Sequence, residues 1–270
     1  MDSITYLFKI ERFCIGAPII LLICLIFVGL QSLIRSRIES KSLNPDIVGG
    51  FFQVIGTIYA ILIGLVVYDA TTRFSDAHEN VANESKALVG IFMLSGQITP
   101  HGVGESIRVL TKDYVEEVLS NDWTHLQNET VNNKARALIR DINLKVLSLS
   151  PSNKNEEIVI PLLVQESMDA WRYRMSRFDV STHRLPMSEW FLLIVGAIIT
   201  IFCSFFYCLE CQRAQSLLTF MTSFVIGISL YAVLMFSEPY KGDFAVSTKP
   251  FEIAQQIIDG TYFIQQSLDN

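Results

Sequence analysis

The sequence predicts an all-α membrane protein in which four transmembrane helices, arranged as two pairs, flank a helical soluble insert. Half of the 270 residues are hydrophobic and only 18% are charged, which is apolar for a soluble protein of this size. Long uncharged runs lie near both ends of the chain, whereas charged residues collect in the middle. No segment of useful length alternates apolar and polar residues as a half-buried strand does.

Four uncharged segments are long enough to cross a bilayer, whose hydrocarbon core takes about 20 helical residues. The predicted spans are residues 13–34, 47–68, 190–209 and 217–236. The first is not a cleavable signal peptide, because its apolar part is too long and no small-residue cleavage site follows it. The expected organisation is a membrane pair at 1–68, an insert at 69–186, a second pair at 187–237 and a tail at 238–270.

Basic residues near the ends of the spans predict the orientation. An even number of spans places both termini on the side of the insert. That side carries ten Lys and Arg residues near the spans, and the opposite side carries four, three of them in the first short loop. Because Lys and Arg accumulate in cytoplasmic loops, we expect cytoplasmic termini and a cytoplasmic insert.

The insert is expected to be helical throughout. The second span has no helix breaker at its insert end, so its helix should continue to about Ser95. Two helices should follow, with apolar faces around Tyr114 and Ile142. The last insert helix should begin near Pro161, a suitable first-turn position for proline. An apolar stripe on this helix should pack against the extended second span as a stalk; it consists of Val164, Met168, Trp171, Met175 and Phe178.

Residue patterns typical of catalysis are missing. The four histidines are scattered, and the chain has no phosphate-binding glycine loop or nucleophile elbow. The net charge of −6 argues against a nucleic-acid partner. Cys208 and Cys211 form an isolated CxxC at the end of the third span, a weak indication of a redox or metal site. We therefore predict no enzyme, cofactor or metal centre, and a membrane redox protein using these thiols is a rival hypothesis.

Three arginines precede the third span. Arg172, Arg174 and Arg177 could contact anionic lipid headgroups or inorganic anions. They could equally be the positive flank that is typical of a cytoplasmic span end.

The second span carries a narrow stripe of small and polar residues. At 100° per residue, the stripe comprises Gln53, Thr57, Ala60, Gly64 and Tyr68. It favours either a close contact between helices or a water-lined pore, because polar groups are costly against lipid. The spans contain no charged residue, which argues against an ion-coupled transporter.

Three short motifs carry a family resemblance. They are the run from Phe52 to Val67 that continues to Ala77 and Glu84, then Arg184-Leu185-Pro186 ahead of Trp190, and Glu238-Pro239-Tyr240-Lys241-Gly242 after the fourth span. Together they resemble a bacterial membrane family described as bestrophin-like, over most of the chain from about residue 50. The resemblance implies the architecture of bestrophins, which are homo-pentameric ion channels with four spans and a helical cytosolic domain per subunit.

The resemblance also implies that the second span lines a pore. Bestrophins narrow their pore with apolar and aromatic residues at helical spacing, and Phe51, Ile55, Tyr59 and Ile63 have this spacing. The polar face with Gln53, Thr57 and Gly64 is the alternative lining. The acidic cluster by which animal bestrophins sense calcium has no evident counterpart.

The function predicted from the sequence is a passive, homo-oligomeric ion channel of the bacterial inner membrane. Its expected partners are membrane lipids, inorganic ions and other copies of the chain, most simply as a homo-pentamer. The alternative is a membrane-anchored sensor or scaffold whose cytoplasmic insert binds a partner protein.

Overall fold

Helices and short connections make up the part of the chain that the structure describes. A computed structural model describes residues 2–37, 45–99, 101–182, 185–206, 212–241 and 245–260, and these contain no strand. In chain order the helices are α1 (Asp2–Arg37), α2 (Pro45–Ser95), α3 (His101–Glu117), α4 (Trp123–Gln127), α5 (Asn133–Leu147), α6 (Lys154–Thr182), α7 (Met187–Phe205), α8 (Gln212–Phe236) and α9 (Lys249–Ile258). A π-helical turn, Val118–Asp122, joins α3 to α4.

Four of these helices contain a segment that is long and apolar enough to cross a membrane. The segments are Gly16–Ile34, Val48–Ser95, Met187–Phe205 and Gln212–Phe236. They coincide with the four predicted spans, so the all-α fold class with two pairs of spans is confirmed. The second segment has 48 residues, far more than a bilayer needs, because α2 continues to Ser95 as the sequence predicts.

The chain forms two compact units. The first contains residues 1–74 and 184–244, and the second contains residues 75–183 and 245–270. The border falls inside α2, so this helix gives its apolar part to the first unit and its charged part to the second.

In the first unit, α1 and α7 flank α8, and small residues allow the helices to approach closely. A Cβ atom at Gly227 of α8 would lie 2.9 Å from Cγ2 of Ile20 in α1. At Gly196 of α7, a Cβ atom would lie 2.6 Å from Cδ2 of Tyr59 in α2. Both distances are shorter than real Cβ contacts, so larger residues at these positions would push the helices apart.

The second unit packs α3, α5, α6 and α9 with the charged part of α2. Its core includes Val81 and Leu88 of α2, Ile142 of α5 and Leu163 of α6, all fully buried. Helix α9 belongs to this unit, because it packs on α3 and buries Phe251 completely.

Helix α6 begins earlier than the sequence predicts. It begins at Lys154, and Pro161 lies inside it, so the predicted start near Pro161 is wrong. The Asn153 side chain accepts a hydrogen bond from the backbone N–H of Glu156 at 2.9 Å, which caps the first turn. Glu156 and Glu157 lie in that turn, where the helix dipole favours negative charge.

The face that α6 buries also differs from the predicted apolar stripe by one residue. The buried positions are Leu163, Ser167, Ala170, Arg174 and Arg177. Met168 and Met175 of the predicted stripe are 51% and 43% exposed. The helix does pack against α2 as predicted, since Arg177 binds Glu84 and the Glu166 side chain lies over Gly90. The predicted face is wrong because the buried face contains two arginines that pair with carboxylates.

Candidate functional site

The membrane part of α2 leaves one broad face uncovered within the first unit. This face includes the polar candidates Gln53 and Thr57 together with Gly64. Apolar residues share it, namely Phe51, Val54, Ile58, Ile61 and Leu65. A membrane helix with such a face needs a partner or a solvent that suits both kinds of side chain.

The opposite face of α2 packs on α7. Tyr59 is buried in a cluster with Ala197 and Ile201 of α7, and its ring fills the space that Gly196 leaves open. Ile55 and Ile63 are half-buried, and Ile63 packs against the cluster that contains Leu193 and Val233. Of the four apolar candidates, only Phe51 is therefore exposed in the single subunit.

The polar groups of the exposed face differ in their hydrogen bonding. The Thr57 hydroxyl donates to the backbone carbonyl of Gln53 at 2.8 Å, so its proton is satisfied within the helix. Within the described residues, the side-chain amide of Gln53 has no hydrogen-bond partner. An amide cannot be left in hydrocarbon without a large penalty, so this side chain indicates contact with water or with another polar group.

A second candidate site is a buried network of charged residues in the second unit. Arg177 of α6 donates to Glu84 of α2 through Nε at 2.8 Å and through Nη2 at 3.2 Å. The same Nη2 also donates to Asp122 of the π-helical turn at 2.9 Å. The Arg177 side chain is 1% exposed, and Glu84 is fully buried. This network therefore ties α2, the π-helical turn and α6 together.

Arg174 completes the network one turn earlier on α6. It binds Asp122 through two hydrogen bonds of 3.0 Å each, and it donates to the Tyr114 hydroxyl at 3.0 Å. Tyr114 in turn donates a short hydrogen bond to Glu84. Two guanidinium groups thus face two carboxylates, so the buried charges balance.

The network fixes the charge states of its members. Burial alone would raise the pKa of Asp122, but the charges of Arg177 and Arg174 outweigh burial and hold it below its usual value. Burial, together with the charge of Glu84, raises the pKa of the Tyr114 hydroxyl far above its usual value. Tyr114 therefore stays a neutral donor while Asp122 stays ionised at neutral pH.

The three arginines predicted to contact lipid or anions have different environments. Arg174 and Arg177 lie in the network and also line a small cavity of about 150 Å³ in the second unit. Arg172 is 64% exposed and pairs with Asp169 at 2.9 Å. The predicted contact with lipid headgroups therefore depends on Arg172.

Sequence reasoning missed the acidic half of the network, although a sign of it was present. Glu84 falls at a core position of the helical stripe formed by Ala77, Val81, Leu88 and Ile91. A carboxylate at a core position requires a cation. Asp122 had no such sign, because it lies in the π-helical turn, where the spacing of an α-helix does not apply.

Another buried carboxylate joins two connections of the second unit. Glu156 accepts hydrogen bonds from the backbone N–H groups of Thr99 and Ser152, both at 2.8 Å, and from both hydroxyls. The hydroxyl and backbone donors lower the pKa of Glu156 to about 2. The described part of the chain contains no group of three His, Cys, Asp or Glu residues that could hold a metal ion. Cys208 and Cys211 lie outside the described residues.

Four apolar helices and a helical second unit define an all-α polytopic membrane protein. The family model of the Bestrophin-like domain matches residues 19–251. The chain therefore belongs to the bestrophin-like family, as its short motifs predict. This is a channel family, so the subunit has a channel-type architecture. No curated protein matches the chain in sequence.

Solved structures of a bacterial bestrophin homologue from Klebsiella pneumoniae have the same fold. One form with a single substitution has a TM-score of 0.69 at 12% identity, with 91% of this chain and 97% of that chain covered. Another substituted form has a TM-score of 0.65 at 12% identity, with 93% and 99% covered. The form phased by Zn-SAD also has a TM-score of 0.65 at 12% identity, with 93% and 97% covered. At this identity, the likeness is one of fold.

Proposed function

We propose that the protein is a homo-oligomeric ion channel that conducts passively through a central pore lined by α2. The observation that carries the proposal is the uncovered face of α2 with Gln53, Thr57 and Gly64 in a membrane span. The family and the fold supply the architecture, and the resemblance to bestrophins implies a pentamer.

Energetics favour water or another copy over lipid at this face. An amide moved from water into an apolar medium without a hydrogen bond costs roughly 2–7 kcal/mol. A ring of subunits with α2 innermost would place Gln53 near water and the apolar neighbours Val54 and Ile58 against the next subunit. A subunit alone in the bilayer would leave the Gln53 amide in hydrocarbon.

The packing of Tyr59 favours one of the two predicted pore faces over the other. Because its ring is buried against Gly196, the row Phe51, Ile55, Tyr59 and Ile63 does not form one open surface. Our proposal therefore assigns the pore to the face with Gln53, Thr57 and Gly64, and it gives Phe51 a place at the start of the span.

Self-association has further support from α6. Its predicted apolar stripe keeps the spacing of a coiled-coil seam, and Met168 and Met175 of that stripe are exposed. We propose a second copy as the partner of this stripe. Replacing both methionines by lysine should lower the mass of the particle and leave the subunit folded.

The first test is the mass of the detergent-purified particle, measured by native mass spectrometry. The proposal expects a closed ring, with five subunits as the expected number. A monomer or dimer that persists across mild detergents would contradict it and would leave the membrane-anchored sensor or scaffold as the better hypothesis.

The second test is current through planar bilayers. Replacing both Gln53 and Thr57 by leucine should suppress conductance, because it removes the polar groups from the proposed pore wall. The matched control replaces Val54 and Ile58, which are exposed on the same helix, and also introduces two leucines. Equal conductance of the wild type and the Gln53→Leu, Thr57→Leu variant would exclude this pore face.

We propose the bacterial inner membrane as the location, with both termini and the second unit in the cytoplasm. The excess of basic residues on the side of the insert supports this orientation. Reporter fusions at the two chain ends would test it, since a periplasmic signal from either end would reverse the topology.

A further inference from the structure

A long apolar groove lies in the first unit, among helices other than α2. The groove has a volume of about 580 Å³ and is lined by α1, α7 and α8. Helices α1 and α7 flank α8, whose Ile226 and Met235 are buried and form part of the floor. Ile19, Ile23, Ile194 and Ile198 line the open walls and are about half exposed.

We propose that this groove binds one acyl chain of a membrane phospholipid as a resident ligand of each subunit. The proposal concerns the outer helices and holds whether or not α2 conducts ions.

The chemistry of the lining fits hydrocarbon. The lining contains no charged residue. Its serine, Ser223, already donates its hydroxyl proton to the backbone carbonyl of Thr219 at 2.6 Å. The lining also contains Tyr231 and Trp190, whose polar atoms are few beside the apolar side chains. A charged peptide would therefore meet no opposite charge in the groove and would lose most of its hydration uncompensated. An empty apolar groove would forfeit dispersion contacts that a hydrocarbon chain restores.

The position and length of the groove fit a single leaflet. Its lining on α1 runs from Gly16 to Phe27, a rise of about 16 Å at 1.5 Å per residue. This equals about half of a hydrocarbon core that is about 30 Å thick. The other linings lie in the first part of α7, from Trp190, and the last part of α8, up to Met235. All three linings start on the side of the bilayer where α7 begins and α8 ends, and those on α1 and α7 extend a little past the middle of their spans, to Phe27 and Ile201.

Trp190 indicates which end of the groove faces the lipid headgroups. It lies in the first turn of α7 and is half-buried in the lining. Tryptophan favours the membrane–water boundary, where its ring is apolar and its N–H finds a partner. The acyl chain would thus enter the groove beside Trp190 and extend toward Phe27 and Ile201. A second copy is the less suitable occupant, because the polar stripe that needs a neighbour lies on α2.

The test fills the groove and counts bound lipid. Ile198→Trp places an indole in the groove, since Ile198 lines it and is 52% exposed. Ile199→Trp is the matched control on the next residue, which is 46% exposed but does not line the groove. Ile194→Trp, on the same wall as Ile198, is a second variant should Ile198→Trp fail to give a folded particle.

Native mass spectrometry of the full chain should show one retained phospholipid per subunit in the wild type and in Ile199→Trp. Ile198→Trp and Ile194→Trp should lose that lipid. A phospholipid with a photoreactive group in its acyl chain should label peptides of α1 and α7 that line the groove, and labelling should fall in the two groove variants.

Three results would overturn the proposal. One is the absence of a retained lipid in the wild type. Another is equal retention in Ile198→Trp and Ile199→Trp, which would mean that the lipid is bound elsewhere. The last is protection of the lining from the photoreactive lipid in an intact particle, which would mean that a neighbouring copy fills the groove.

Discussion

Replacing Arg177 by methionine should destabilise the second unit strongly. Methionine keeps much of the length of the side chain but removes its charge and its hydrogen bonds to Glu84 and Asp122. Asp122 keeps both bonds to Arg174, whereas Glu84 keeps only the Tyr114 hydroxyl among its partners in the network. Breaking a buried ion pair by removing one partner costs about 3–5 kcal/mol, because a buried charge is left uncompensated. We expect a loss in this range.

Arg172→Met is the matched control. Arg172 also lies on α6 and also pairs with a carboxylate, Asp169, at 2.9 Å, but its side chain is 64% exposed. An exposed pair contributes little, because water and salt screen its charges. The two variants thus remove the same charge from the same helix, one from a buried position and the other from an exposed one.

The assay is denaturant unfolding of the full chain in detergent, with hydrogen exchange of α3 and α6 peptides to locate the loss. Arg177→Met should lower the free energy of unfolding well beyond Arg172→Met. The double variant Glu84→Gln, Arg177→Met should recover part of the loss, because neither buried charge then lacks its partner. Equal effects of the two single variants would refute the assignment of stability to the network.

Three further predictions concern other parts of the two units. Glu156→Gln should remove an acid-dependent loss of stability. The carboxylate contributes stability that is complete above its ordinary pKa of 4.5 and is lost as pH falls toward its folded pKa of about 2. The free energy of unfolding, measured across this range, should therefore depend less on pH in the variant. Gly196→Ala should lower the thermal stability of the particle, because its Cβ atom would lie 2.6 Å from the Tyr59 ring, and adding Tyr59→Ala should relieve the clash. Phe251→Ala should lower the free energy of unfolding by about 3–5 kcal/mol, because the ring is fully buried. It should also increase hydrogen exchange in α3 and α9. Unchanged exchange would mean that the Phe251 ring does not hold α9 on α3.

The spans could be predicted from the sequence because their signal is local. A bilayer core selects for about 20 uncharged residues, and four segments meet that requirement. The extension of α2 to Ser95 could also be predicted, because Ala77, Val81, Glu84, Leu88 and Ile91 continue the helical spacing without a breaker.

Other features depended on contacts between residues far apart in sequence. The start of α6 depends on the Asn153 cap and on the loop contacts of Glu156 with Thr99, 57 residues earlier. Tyr59 belongs to the same helical row as Phe51, but its ring is buried because it packs over Gly196 and against Ala197 of α7. Which face of a helix is covered therefore could not be read from that helix alone.

The two faces of α6 show why the apolar pattern of the sequence predicted the wrong buried face. The apolar stripe with Met168 and Met175 and the charged face with Arg174 and Arg177 have the same spacing, one residue apart. Burying apolar area stabilises by about 25 cal/mol per Å², whereas a buried ion network gains little over apolar packing. A lone soluble subunit would therefore gain more by burying the methionines. The subunit buries the balanced charges and leaves Met168 and Met175 of the apolar stripe outside, which is the arrangement expected if a second copy covers these two side chains. The register of α6 and the uncovered face of α2 thus support self-association independently, one in each unit.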